Sequence, residues 1–264
     1  MAGFMDILGT LVKEGMTKSA PARMGNAFGM NETDGSSLAD ILGRLGGMFG
    51  GQGGPSSSAQ GMSGLGGVLG ELLESLGGNQ NVIGNLAALA EAIFGSGSSG
   101  QADRRSVAGG TLAMLASLAI AALRKAGQQP AVMPKSLYGP MSEEDHAALE
   151  NEARIIVKAM INAAKADGRI DDTEIRKIIG KLEEDGLTEE EKQFIMEEVN
   201  KPLDINEIVS SAQNRPELAA QIYTASLLAI EVDTPAEQQY MQQLAEGLGL
   251  DPKVIEHIHK LLGV

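Results

Sequence analysis

The sequence predicts an all-α protein: seven C-terminal helices in two related halves, preceded by a Gly/Ser-rich region that carries short amphipathic helices and one apolar helix. Three observations lead there. Cap residues recur through residues 142–264, each with an acidic residue three positions on, which is how a helix start satisfies its free N–H groups. Between the caps, apolar residues fall at three and four spacing, and no stretch alternates as a half-buried strand would. Charge and glycine also divide the chain unevenly. Residues 1–140 hold nine acidic and nine basic side chains, residues 141–264 hold 26 and 12, and 28 of the 34 glycines precede residue 141. The whole net charge of −14 therefore belongs to the C-terminal part.

The expected organisation follows from these shifts: a Gly/Ser-rich region over 1–100, an apolar helix over 101–126, a linker over 127–141 and an acidic helical domain over 142–264. In the first region, four amphipathic pieces, Phe4–Val12, Leu38–Phe49, Leu65–Leu76 and Val82–Phe94, are separated by spacers such as "GGQGGPSSSAQG". Pieces this short need a partner for their apolar face, which could be each other, a membrane surface or another chain through self-association; without one the region is a mostly disordered lead-in with transient helices. Next comes "DRRSVAGGTLAMLASLAIAALRKAG". Its uncharged run from Ser106 to Leu123 lies between Arg104–Arg105 and Arg124–Lys125. As a helix it would be roughly 27 Å long, enough for a bilayer core, and it suits either a membrane span or a buried helix. Pro130, Pro134 and Pro140 then interrupt any continuous helix.

The C-terminal part reads as helices near 143–166, 171–184, 189–199, 205–213, 216–231, 235–248 and 252–262. Ser142, Asp171, Thr188, Asp204 and Thr234 are the caps, paired with Asp145, Glu174, Glu191, Glu207 and Glu237. Pro235 and Pro252 take first helical positions, the latter after Asp251. An offset of 66 residues aligns Ala159 with Ala225, Ala163 with Ala229, Asp167 with Asp233, Leu182 with Leu248 and Asp185 with Asp251. Each half would be a long apolar helix, an aspartate at its end, a tight turn and an amphipathic helix.

"AAKADGRIDDTEI", residues 163–175, imitates the second half of a calcium-binding EF-hand loop. The imitation fails at the first and third loop positions, where calcium needs oxygen ligands, because these are Ala163 and Lys165. Two readings remain. In one, Gly168 takes the turn, Asp171 caps the next helix and the acids suit its dipole. In the other, Asp167, Asp171, Asp172 and Glu174, joined by Asp233 and Glu237, form an acidic site for a divalent cation, calcium or another, or for a basic partner.

Composition excludes several functions. An acidic domain without a basic stripe repels nucleic acid phosphates. With no cysteine there is no thiolate nucleophile, disulfide or cysteine metal site. His257 and His259 stand two apart on a helix and face different ways, His146 is isolated, and no Ser–His–Asp, HExxH or phosphate-loop pattern occurs. The N-terminus lacks the pattern of a cleaved signal peptide.

The phrases "INAAKADGRIDDTEI", "NKPLDINEIV" and "IYTASLLAIEVDTPAEQQYMQQLAEGLGLDP" resemble the C-terminal domain of the YebE-like family of bacterial inner-membrane proteins, within the TerB-like (tellurite-resistance) superfamily. The resemblance covers about residues 141–264. It implies an all-helical TerB-like bundle of two related halves, an apolar membrane segment ahead of it and an inner-membrane location. It also implies metal binding at the two helix–turn–helix junctions, here Asp167 and Glu174, then Asp233 and Glu237. The halves differ, because the position matching Glu174 in the second half is Tyr240. The expected function is a non-enzymatic, membrane-associated protein that presents an acidic interaction or stress-response domain to protein partners. The alternative is a divalent-metal sensor.

Overall fold

The computed structural model describes residues 3–14, 19–27, 104–128, 133–137, 142–166, 168, 179–180 and 187–264. Among these are nine α-helices and one 3-10 turn, with no strand, so the all-α expectation holds. The helices are α1 Phe4–Glu14, α2 Ala20–Ala27, α3 Arg104–Lys125, α4 Glu143–Ala164, α5 Glu189–Asn200, α6 Ile205–Ser211, α7 Pro216–Ala229, α8 Pro235–Gly247 and α9 Pro252–Leu262, with the 3-10 turn at Lys135–Leu137. The expected pieces at Leu38–Phe49, Leu65–Leu76 and Val82–Phe94 lie outside the described residues, as does 171–184 apart from helical 179–180.

Ser142, Thr188, Asp204 and Thr234 start helices where expected, and Asp171 lies outside the described residues. The Ser142 hydroxyl accepts from the Asp145 N–H at 3.1 Å, and Asp204 accepts from Glu207 N–H at 3.2 Å. Thr188 with Glu191 and Thr234 with Glu237 each close a reciprocal capping box. Asp251 caps α9 ahead of Pro252, and Gly263 ends it in the left-handed conformation at φ 71°. A side chain at Gly263 would also crowd the side-chain amide of Asn26.

The core is built on α7. Every residue from Leu218 to Ile230 is buried, and the helix packs along α4, as the two related halves of the sequence suggest. Ala159 and Ala225, at 0% exposure each, and Ala163 and Ala229 are all buried, and such small side chains let two helices approach closely. A third helix completes this layer. α3 packs on α7, α1 and α9, and from Gly110 to Leu123 only Ala113 and Ala121 are partly exposed. One apolar cluster runs from Met5 on α1 through Leu115 on α3 to Leu262 on α9, while Ala116 and Ile120 pack against Leu137 of the 3-10 turn.

This placement corrects the membrane-span expectation for 106–123. Among the described residues, no helix is long and apolar enough to cross a membrane. From Gly110 to Leu123 the apolar run is instead a helix enclosed by protein, and a helix buried on all sides is apolar all round for the same reason a span is. The core also crosses the 127–141 stretch that sequence composition marks as a linker, since α1 and α3 share it with α4 and α7.

Candidate functional site

Of the sequence-predicted metal residues, Asp167, Asp171 and Glu174 lie outside the described residues, and Asp233 and Glu237 can be placed. Asp233 is exposed in the turn after α7, while Glu237 is 7% exposed in the first turn of α8. One Glu237 carboxylate oxygen accepts from the Asp233 N–H at 3.1 Å, the Thr234 N–H at 3.0 Å and the Thr234 hydroxyl at 2.9 Å. That oxygen is committed to the helix start. Val232, just before, sits at φ 58°, a conformation that β-branched residues rarely adopt, so the turn is held in place by its surroundings. Tyr240, the departure between the halves, is buried, and burial pushes its phenol far above the ordinary range, so the side chain is neutral here. Among the described residues, no group of three or more His, Asp or Glu could hold a metal ion.

Lys165, which defeats the EF-hand reading, has a structural task. Its ammonium donates to the Glu198 carbonyl at 2.7 Å and the Lys201 carbonyl at 3.0 Å, closing the C-terminal end of α5 against α4, and burial holds its pKa below the ordinary lysine value. Beside it, buried Glu198 takes Lys201 at 2.5 Å and Lys158 at 3.5 Å, and Lys158 also pairs with Glu207. Asn162 completes the junction: its side-chain carbonyl accepts from the Asp204 N–H at 3.1 Å. A second buried network joins α4 to α7, where Glu152 accepts from Arg215 at 3.0 Å and from Gln221 at 3.2 Å. The buried acids Glu152, Glu191, Glu198 and Glu237 are thus all spent on caps and ion pairs.

Two junctions escape sequence reading because their partners are remote in the chain. At the first, the Arg23 guanidinium on α2 donates to the Leu227 and Ile230 carbonyls at 2.5 Å each and to the Glu231 carbonyl at 2.9 Å. It supplies α7 with the C-terminal cap that its own sequence lacks. Asn26 donates to the Leu262 carbonyl at the end of α9. His259 lies alongside, its Nε2 2.8 Å from the Tyr223 hydroxyl and its ring stacked on that of Tyr223. Burial, and then the Arg23 charge, hold the His259 pKa below its ordinary value, while burial pushes Tyr223 to about 12.

At the second junction, Glu150 on α4 accepts from the Phe4 N–H at 2.6 Å and so caps α1 from outside. Phe4 meets the Phe194 ring edge-on at 5.0 Å, and the Arg154 guanidinium lies over both rings. Desolvation raises the Glu150 pKa, offset in part by the backbone N–H groups it accepts from.

The outer face of α5 is different in kind. Glu189, Gln193, Met196, Glu197 and Asn200 recur at helical spacing and are all exposed, Met196 at 42%, and Leu203 follows at 40%. An open groove of about 610 Å³ is lined there by Gln193, Met196, Glu197, Asn200, Lys201 and Pro202. It offers Met196 and Pro202 as apolar surface among amides, with Glu197 and Lys201 as its charged groups.

No solved structure matches the chain. An uncharacterized protein in the ampR 5′ region of Yersinia enterocolitica is 28% identical over 122 residues, 46% of this chain and 86% of that relative. The family described as "Protein of unknown function (DUF533)" matches residues 76–262, which span every helix from α3 to α9. The chain belongs to the DUF533 family.

Proposed function

We propose that the protein is a non-enzymatic interaction module, and that the outer face of α5 binds a basic amphipathic helix of a partner protein. The observation that carries this reading is the exposed Met196 with Glu197 beside it on the outer face of α5, where Glu189 and Glu190 are also exposed, an apolar spot that a partner helix covers and carboxylates on the same helix that attract lysine or arginine. The acid excess of residues 141–264 supports it, since the buried acids are occupied in the fold and the exposed ones face solvent. The TerB-like likeness of the C-terminal phrases supports a place in stress response, and kinship with the YebE-like group is part of the same proposal. Helix α3 is used up in the core, so no anchoring role is given to it.

The test is a titration of the full chain with a labelled model helix of leucine and lysine at amphipathic spacing, read by anisotropy. Binding should weaken at least tenfold in Met196→Asp and fall with added salt. Equal binding by Met196→Asp and the unaltered chain would overturn the reading.

A further inference from the structure

We propose that Met196 is an oxidisable switch on the outer face of α5, and that its thioether, taken to the sulfoxide by a peroxide, closes that face to a partner helix. The proposal rests on the α5 reading and names how that site is regulated. It starts from the chemistry available to the chain. There is no cysteine among the 264 residues, so no thiol intercepts a two-electron oxidant, and the sulfur present is that of 13 methionines.

The fold sorts the methionines it describes. Met5, Met24, Met114, Met160 and Met241 are each at most 5% exposed, and Met133 is partly buried against the cluster of Ala116, Ile120 and Leu137. Met196, at 42%, is the one exposed methionine among the described residues. Phe194 and Ile195, its neighbours on α5, belong to the core, whereas Met196 lines the open groove. An oxidant thus reaches this sulfur and is kept from those that hold the helices together, where oxidation would put a polar group in the core.

The surroundings also suit the oxidised form. Met196 stands three residues after Gln193 and four before Asn200, the spacing at which side chains on a helix meet. Both amides line the same groove. Asn200 donates to the Met196 backbone carbonyl at 2.7 Å and Gln193 donates to Glu197 at 2.7 Å, so the helix bonds here do not use the sulfur. A sulfoxide oxygen is received by solvent and polar side chains, and the fold is kept. In the reaction a sulfur lone pair attacks one oxygen of hydrogen peroxide, an S–O bond forms, the O–O bond breaks and water leaves. Sulfur loses two electrons and the peroxide gains them. The apolar thioether becomes a polar, chiral sulfoxide, and the apolar spot that a partner helix would cover is lost.

The test treats the full chain with hydrogen peroxide, follows each methionine by peptide mapping and reads binding of the leucine–lysine model helix by anisotropy. Met196 should gain oxygen about tenfold faster than any of the five buried methionines. The oxidised chain should bind the helix about tenfold more weakly, and methionine sulfoxide reductases with a thiol reductant should restore binding. Met196→Leu, which keeps an apolar side chain without sulfur, should bind the helix and ignore the peroxide. Oxidation of Met196 no faster than of the buried five, binding unchanged by oxidation, or an equal loss of binding in Met196→Leu would each overturn the switch and leave the α5 reading standing. A model helix that fails to bind the untreated chain overturns that reading, and the switch with it.

Discussion

At the scale of the residue, the informative contrast lies between caps supplied locally and caps supplied from afar. Thr234 and Glu237 were legible in the sequence because both partners sit within three residues of each other. Arg23 was not, since its carbonyl partners are more than 200 positions away and nothing in "APARMGNA" marks that arginine as special. Arg23→Ala should therefore destabilise the chain by about 2 kcal/mol, because charge-assisted bonds to three carbonyls are lost. Arg23→Lys should fall between, since one ammonium cannot reproduce the forked guanidinium. Urea denaturation of the full chain would show both. By the same measurement Thr234→Ala should cost about 1 kcal/mol. Asp233→Asn should stay within about 0.5 kcal/mol, as expected for an exposed side chain that the cap does not use. A metal-induced rise in melting temperature that Asp233→Asn removes would show that Asp233 is a ligand.

At the scale of the element, helix boundaries were the most legible feature and helix surroundings the least. The sequence predicts α5 over 189–199, and it spans Glu189–Asn200, because cap and periodicity are local signals. Helix α3 shows the limit. Its apolar run carries no information about whether lipid or protein surrounds it, and Leu115 at 0% exposure shows that protein does. Leu115→Ala should cost about 2–5 kcal/mol by thermal melt, the range for a buried leucine in a core that cannot fully collapse. Helix α2 was missed altogether, being only eight residues long.

The docking of α1 and α2 should also respond to pH with two opposite signs. His259 is held below its ordinary value of 6.5, so the stability it contributes is complete above 6.5 and is lost as pH falls through that value toward the lower folded one. Glu150 is held above 4.5, so the folded chain takes up a proton first, and its contribution grows as pH falls from the raised folded value to 4.5. Melts between pH 7.5 and 4 should show the first trend vanish in His259→Gln and the second vanish in Glu150→Gln.

At the scale of the whole molecule, composition drew a boundary that the core ignores. Charge and glycine content change near residue 140, yet Leu8, Leu115 and Leu228 belong to one cluster. Surface residues dominate net charge and say little about which apolar faces meet. Unfolding should therefore be a single transition. Tyrosine fluorescence, to which buried Tyr223 and Tyr240 contribute two of the three tyrosines, and a fluorophore on Gly9→Cys in α1 should give the same denaturant midpoint. Two separated midpoints would mean that α1 is not part of the core. The candidate site divides in the same way: the acids at the turns were visible as residue types, but their commitment to caps and ion pairs needed three-dimensional partners such as Lys158 and Lys201.

The contact between Asn26 and Leu262 joins positions 236 residues apart, and Arg23 reaches partners more than 200 residues on. A ribosome makes α1 and α2 first, α3 next and the rest of their docking surface, through α9, last. At roughly 5–20 residues per second, the apolar face of α1 waits on the order of tens of seconds for the helices that cover it. During that interval it is available to any chaperone, or to the corresponding face of a neighbouring nascent chain on the same messenger.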